Sequence, residues 1–67
     1  MSIAKIAEIT SESPEGFEQA IREGISRAGK TLKNVKNVWI KDQEVLVKDD
    51  RPQSFRVTMK VTFVLND

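Results

Sequence analysis

Residues 54–65 (SFRVTMKVTFVL) alternate between apolar and polar side chains more regularly than any other stretch of the chain. Side chains of a β-strand point alternately to its two faces, so a period of two predicts a strand with one face turned to a core. The apolar face holds Phe55, Val57, Met59, Val61, Phe63 and Leu65, and the other holds Arg56, Thr58, Lys60 and Thr62. This strand predicts a sheet that is covered on one side.

A helix between about Pro14 and about Lys33 is predicted to provide that cover. Ser13, Pro14 and Glu15 are typical of a helix start, because serine caps free N–H groups, proline fits the first turn and glutamate suits the positive end of the dipole. Asn34 can end the helix. Apolar and small residues recur at helical spacing at Phe17, Ala20, Ile21, Gly24, Ile25, Ala28 and Leu32.

Two further strands complete the predicted sheet. Residues 3–10 (IAKIAEIT) alternate imperfectly and predict a short strand, whereas residues 36–48 (KNVWIKDQEVLVK) predict a long one. Residues 49–52 (DDRP) predict a turn, so the two long strands should pair as a hairpin. The order β-α-β-β predicts an α+β fold, a single domain over residues 1–67 with a three-stranded antiparallel sheet packed on one helix.

The register of this hairpin decides which side chains lie on the outer face, the sheet face away from the helix. If Lys48 pairs with Gln53 without a bulge, the odd residues of the long second strand join the polar residues of the last strand. The outer face then gains Trp39, Lys41, Gln43, Val45 and Val47. This register points Asp42 and Glu44 toward the core, and a β-bulge near them would flip Trp39 relative to the rest of the strand.

Trp39 is the only tryptophan of the chain, and three roles stay open for it. It can fill the core, form part of a subunit interface, or stack on a flat ligand. An outer face that mixes tryptophan, valine, amide and charged side chains is unlike an ordinary solvated sheet face. This composition favours an interface or a ligand site.

The small size of the chain predicts self-association. A chain of 67 residues buries only about 60% of its unfolded surface, so its stability as a monomer is marginal. Small domains compensate with disulfides, metals or oligomerisation. The chain has no cysteine and no histidine, which excludes disulfides and thiolate zinc sites, and no calcium-loop motif is present. We therefore predict a homo-oligomer without a metal site.

The same composition narrows the classes of function. Without histidine or cysteine for acid–base or nucleophilic chemistry, the protein is predicted not to be an enzyme. No apolar run is long enough for a membrane span and no signal peptide is recognised, so we expect a cytoplasmic protein without a membrane partner.

Nucleic acid is the rival partner class, and the sequence argues against it. The net charge is only +1, from 11 basic and 10 acidic residues, which leaves no strong electrostatic footprint for a polyanion. A basic stacking platform for single strands would need Trp39, Lys41, Arg56 and Lys60 on one sheet face. Aromatic residues are sparse, so no nucleic-acid partner is expected.

The chain resembles the dodecin family over essentially its whole length. The matching stretches are residues 10–17 (TSESPEGF), the helix segment 26–32 (SRAGKTL) and the last strand, residues 56–65 (RVTMKVTFVL). Dodecins have the same order of elements, and twelve copies form a hollow sphere in which flavins sit stacked in pairs at two-fold axes. The resemblance thus implies a homododecamer that binds and stores riboflavin or FMN without catalysis.

The usual flavin contacts of the family are substituted in this sequence. Flavin-binding members carry a tryptophan six positions after the helix threonine, here Thr31, and a glutamine 19 positions after that tryptophan. Here these positions are Asn37 and Arg56. Trp39 lies two positions further on, which in a strand is the same face and about 7 Å along it.

Two interpretations of the substituted site follow. In the first, Trp39 stacks on a displaced ring and Arg56 donates to its oxygens; because arginine cannot accept, the imide N–H of a flavin would stay unpaired at about 1–3 kcal/mol if buried. Asp42 and Gln43 could contact polar ligand groups or cations at a symmetry axis. In the second, the shell has lost its flavin and serves as a structural or other small-ligand assembly. Trp39 and Arg56 then pack against each other, or against a symmetry-related copy, as a cation–π contact.

Overall fold

The computed structural model describes residues 3–65 and confirms the predicted β-α-β-β order. The strands form one antiparallel sheet in the order β1-β3-β2, and the helix lies against one of its faces. The elements are β1 (Ala4–Ser13), α1 (Phe17–Thr31), β2 (Val35–Lys48) and β3 (Arg51–Val64). The most regularly alternating strand is therefore central and pairs along both of its edges.

The core lies between α1 and the odd-numbered residues of β3. Val57, Met59 and Val61 have no exposed surface, as their alternation predicts, and Ala20 of the helix is equally buried. Phe17 packs edge-to-face on Phe55, with the ring centroids 5.2 Å apart. Among the described residues, the buried apolar side chains are Ala20, Ala28, Val57, Met59 and Val61. This core is small, even for a short chain.

The helix begins later than predicted, at Phe17. Ser13 does not cap it but ends β1, where its buried Oγ accepts the N–H of Glu15 over 3.1 Å. The residue before the helix is Gly16, with φ 151°, a conformation that only glycine adopts without strain. The residues between Ser13 and Phe17 thus form a tight link rather than a first turn.

The helix also ends before the predicted Lys33, at Thr31. The N–H of Leu32 closes the last turn on the carbonyl of Ala28 at 2.7 Å. Asn34 then takes the left-handed conformation, with φ 63°, and its carbonyl accepts the N–H of Val64 at 3.1 Å. Asn34 therefore redirects the chain from α1 toward β2. It also joins the α1–β2 connection to the end of the central strand β3.

The hairpin turn is tighter than predicted. Lys48 pairs with Arg51 rather than with Gln53, leaving a two-residue turn of Asp49 and Asp50. Both aspartates have positive φ, 53° and 61°, as in the mirror-image turns that match the twist of β-hairpins. The predicted start of the last strand at residue 54 was therefore three residues late.

A register shift in β2 settles the face of each of its side chains. Lys41 has no partner between the Ile40–Met59 and Asp42–Thr58 pairs, so a β-bulge occurs there. Upstream, Trp39 pairs with Lys60 on the outer face. Downstream, the bulge shifts the alternation by one residue.

The shift turns the carboxylates outward and Gln43 toward the helix side. Glu44 pairs with Arg56 on the outer face, whereas Gln43 pairs with the buried Val57. The prediction that Gln43 shares a face with Trp39 is therefore wrong, as is the bulge-free register. The physical reason is that a carboxylate facing the core would lose its hydration without a partner.

The hairpin projects beyond the helix. The molecule measures 51 × 19 × 13 Å, because 14-residue strands reach about 46 Å while a 15-residue helix reaches only about 22 Å. Phe17 meets the sheet at Phe55, so residues 45–54, which we name the hairpin arm, have no helix over them. Within residues 3–65, no helix is long and apolar enough to cross a membrane.

Candidate functional site

The outer face of the sheet brings most of the predicted site residues together. Its side chains form four rows across β1, β3 and β2, each centred on an even residue of β3. The rows are Ile6–Thr62–Asn37, Glu8–Lys60–Trp39, Thr10–Thr58–Asp42 and Glu12–Arg56–Glu44. Since no helix covers this face, the rows are open to a ligand or to a second copy.

Trp39 lies on this face and 60% of its surface is exposed. Trp39 is thus not a core residue, and the interpretation that it fills the core is wrong. The Nζ of Lys60 lies 5.2 Å from the centre of the indole ring, within the range of a cation–π contact. Within the chain, the cation beside Trp39 is therefore Lys60 and not Arg56, so a cation–π contact between Trp39 and Arg56 of the same copy is wrong.

Arg56 is held between carboxylates from the two flanking strands. Its Nε donates to Oε1 of Glu12 at 2.7 Å and its Nη1 donates to Oε1 of Glu44 at 3.2 Å. The hydrogen bond and charge of Glu12, with a smaller effect of Glu44, raise the pKa of Arg56 above its ordinary value. Two of its donor groups, Nε and Nη1, are therefore already engaged within the chain.

The charges of the outer face are mixed rather than basic. Lys41 reaches across to Oε2 of Glu8 at 3.3 Å, so it too has a carboxylate partner. In the four rows and the bulge beside them lie four acidic side chains and three basic ones: Glu8, Glu12, Asp42 and Glu44 against Lys41, Arg56 and Lys60. A stacking platform for single-stranded nucleic acid requires an excess of cations, which these rows lack.

The predicted site residues fall into two groups. Asn37, Trp39, Asp42 and Arg56 share the outer face, and Gln43 lies on the opposite one. Trp39 and Arg56 are two rows apart, about 13 Å along β3, with the row of Asp42 between them. A ring stacked on the indole thus reaches the row of Asp42 before that of Arg56.

Sequence reasoning missed two members of the site, Glu12 and Glu44. Lys60 was placed on this face by its alternation, but only as part of a platform for nucleic acid and not as the partner of Trp39. Glu12 was missed because the first strand was predicted to end at residue 10, and Glu44 because the bulge-free register turned it inward. The signal for Glu44 was that the bulge-free register directs it toward the core. A carboxylate in that position is improbable without a partner, which indicates that the register is wrong.

A second concave feature lies on the other side of the sheet, between α1 and β1. It is an open groove of about 610 Å³, and its walls are mainly apolar. Residues lining it include Ala7, Ile9, Gly24, Arg27, Ala28 and Leu32. None of the predicted site residues borders it. Within residues 3–65, no three acidic side chains are grouped as metal ligands would be.

Comparisons with known proteins point to one family. The model of the Dodecin family matches residues 3–66. A dodecin from Streptomyces davaonensis is 36% identical and superposes with a TM-score of 0.94, covering 98% of this chain and 97% of its own. A mutant of T. thermophilus dodecin is 27% identical, with a TM-score of 0.93 and complete coverage (100%) of both chains.

A third relative carries a ligand in its name. The protein called calcium dodecin, from Mycobacterium tuberculosis, is 27% identical over 63 residues, which is 94% of this chain and 89% of that protein. Its crystal structure superposes with a TM-score of 0.84 at 25% identity. The family model, the relatives and the β-α-β-β fold agree, and the chain belongs to the dodecin family.

Proposed function

We propose that this protein is a self-associating, non-catalytic cytoplasmic binding protein that holds a flat aromatic ring of flavin type, riboflavin or FMN, on its outer face. The exposure of Trp39 carries the proposal. A large aromatic side chain that is 60% exposed on an open sheet face offers a stacking surface at low entropic cost. Membership of the dodecin family supports it.

The polar groups around Trp39 complement the edge of a flavin. That edge presents acceptors at its carbonyls and ring nitrogens, and one imide N–H donor. Arg56 can only donate hydrogen bonds, and the Asp42 carboxylate can only accept them. Because the row of Asp42 lies between those of Trp39 and Arg56, Asp42 supplies the acceptor that arginine lacks.

Asn37 supplies the remaining contact in this proposal. It precedes Trp39 on the same face of β2, and its amide both donates and accepts hydrogen bonds. A bound flavin would bring redox and light-absorbing chemistry, while the protein side chains would only bind it and shield it from water. We therefore propose sequestration or storage.

A dodecameric shell without flavin is the second candidate, favoured by the state of Arg56. Its guanidinium already bonds two carboxylates, so donating to a ligand requires breaking those contacts. A structural assembly, or one that takes another small ligand, would leave the Arg56 row intact. The name of the Mycobacterium tuberculosis relative makes calcium the first such ligand to test.

The first prediction concerns the ring of Trp39. In a titration of riboflavin or FMN with protein, flavin fluorescence should be quenched at stoichiometric protein. Trp39→Ala should weaken this binding about ten-fold, since one aromatic stack contributes roughly 0.5–1.5 kcal/mol beyond the area it buries. Asn37→Ala is the matched control from the same strand face and should have the smaller effect.

Equal effects of the two variants would contradict a stacking role for Trp39. If the wild-type protein assembles but quenches neither flavin, with or without added Ca²⁺, the flavin proposal fails and the second candidate replaces it. Circular dichroism of each variant checks that the fold is retained.

A further inference from the structure

Glu12 makes the tighter of the two ion pairs that hold Arg56. Its Oε1 lies 2.5 Å from Nη2 and 2.7 Å from Nε of Arg56, whereas Oε1 of Glu44 lies 3.2 Å from Nη1. The side chain of Glu12 is 43% exposed and that of Glu44 is 59% exposed. Because less water screens the Glu12 pair, its attraction is the stronger. Glu12 is therefore the principal partner of Arg56.

The two carboxylates cover the donors that a ligand would need. The edge formed by Nε and Nη2 is one through which arginine takes a ligand with two parallel hydrogen bonds, and Glu12 lies against it. Glu44 occupies the remaining nitrogen, Nη1. An acceptor that approaches Arg56 along the outer face must consequently displace a carboxylate before it can form such a contact.

The backbone places Glu12 in this position without help from a ligand. Glu12 lies opposite Arg56 in the register of β1 and β3, and the next residue, Ser13, is 2% exposed and lies opposite Phe55. The end of β1 is thus anchored in the core. Only a rotation of the Glu12 side chain can release the guanidinium.

Neutral acceptors compete poorly with this arrangement. A flavin carbonyl carries no net charge, so exchanging a carboxylate for it gives up the attraction between opposite unit charges. Glu8, which lies on the same strand and face as Glu12, bonds Lys41 and not Arg56. The competition is therefore specific to the row of Arg56.

We propose that Glu12, assisted by Glu44, is an internal competitor that withholds Arg56 from neutral ring ligands and so lowers the affinity of the outer face for them. In the closed form both carboxylates hold Arg56; in the open form Glu12 turns into solvent and Arg56 donates to the ring edge. Glu12 is thus a positioning residue that acts through Arg56. The inference rests on the flavin-type site proposed above and adds an inhibitory contact to it.

Riboflavin titration tests this role, because the ligand is uncharged at neutral pH and its fluorescence reports stacking. Glu12→Gln combined with Glu44→Gln should bind riboflavin about ten-fold more tightly than wild type, since each exposed ion pair changes an equilibrium up to about five-fold. Glu12→Gln alone should give the larger share of the gain. Circular dichroism checks that each variant is folded.

The matched control combines Glu8→Gln with Glu18→Gln. It removes the same charge from the pairs with Lys41 and Arg22 and should change the affinity less than two-fold. An equal gain in this control would overturn the proposal, because the effect would then be one of net charge.

A double-mutant cycle with Arg56→Met shows whether Glu12 acts through Arg56. Without the guanidinium, the Glu12 and Glu44 substitutions should change riboflavin affinity less than two-fold, and a ten-fold gain there would overturn the proposal. Salt gives a second measure, since about 1 M salt shortens the Debye length to about 3 Å. The advantage of the double glutamine variant over wild type should shrink in high salt, and an advantage independent of salt would contradict release of an ion pair.

The outcomes also separate this inference from the ligand proposal. Equal, measurable riboflavin binding by wild type and the double glutamine variant would overturn the competition and leave the flavin site standing. If neither protein binds riboflavin, both proposals fail.

Discussion

Arg56 decides much of what the outer face can bind. Two carboxylates hold its guanidinium across three strands, and bonds of this kind between exposed groups are individually weak. A ligand can therefore compete for Arg56, but it must leave Glu12 and Glu44 without their cation. The residue that replaces the family's glutamine is thus restrained before any ligand arrives.

The second prediction follows from this restraint. Asn37→Trp combined with Arg56→Gln places the family's usual ring and amide on the outer face. Flavin affinity, measured by fluorescence titration, should rise about ten-fold or more over wild type, because a stack and a ring-edge hydrogen bond are gained.

Arg56→Gln alone serves as the control and should bind flavin less tightly than the double variant. It should also lower the melting temperature slightly, since Glu12 and Glu44 lose their shared partner. An affinity of the double variant no higher than wild type would show that these two positions do not limit binding.

At the residue scale, the sequence predicts the composition of the site better than its geometry. Trp39, Asn37 and Arg56 reach the outer face as predicted. The alternation of β3 places Arg56. The bulges at Lys41 and Gln53 offset each other, so the residues of β2 before Lys41 keep the predicted face. Asp42 and Gln43 exchange faces, because one unpaired residue reverses the alternation. The bulge position depends on which carboxylates pair with Arg56, a long-range contact that local patterns do not encode.

At the scale of elements, α1 and the sheet approach closely at one point. A Cβ on Gly24 would collide with the end of the Met59 side chain and lie 3.1 Å from Cβ of Ser11. Gly29, near the end of the same helix, has open space around the corresponding position. Gly24 is therefore required by the close approach of the helix to the sheet, whereas Gly29 is not required by packing. Both glycines lower the intrinsic stability of the helix.

The third prediction uses this contrast. Gly29→Ala should raise the free energy of unfolding by about 1 kcal/mol, the difference in helix propensity. Gly24→Ala gains the same propensity but overpacks the core, at about 1–3 kcal/mol, so it should be neutral or destabilising. Urea unfolding of both variants measures the difference, and equal stabilisation would show that Met59 moves aside freely.

The order of the elements follows from local patterns, but their ends do not. Alternation and helical spacing predict all three strands and α1, since one buried face is enough to specify each. The start of α1 at Phe17 depends on Ser13 remaining in β1 opposite Phe55. The start of β3 at Arg51 depends on two aspartates accepting positive φ, which few non-glycine residues do.

At the scale of the whole molecule, the core formed by the described residues is small. Only a few side chains are fully buried, while Ile3, Ile6, Trp39 and Val47 are each at least 60% exposed. A small core beside several exposed large apolar side chains is expected of a small domain that is stabilised by self-association. Assembly should therefore contribute much of the stability.

The fourth prediction is that stability depends on protein concentration. If folding and assembly are coupled, ten-fold dilution should lower the melting temperature by roughly 5 °C, by mass action on the assembled state. Slow calorimetric scans at several concentrations, with light scattering for mass, measure this dependence. A melting temperature independent of concentration, together with a monomer mass, would contradict self-association.

The bulges at Lys41 on β2 and Gln53 on β3 also constrain how such a chain can change during evolution. Each is one extra residue in one strand, and together they restore the original alternation before the two-residue turn. Between Lys41 and the turn, an insertion or deletion in one strand alone would change the face of every side chain beyond it, so we expect length changes there to occur in matched pairs. Homologous hairpins that differ in length should therefore differ by equal numbers of residues on the two strands.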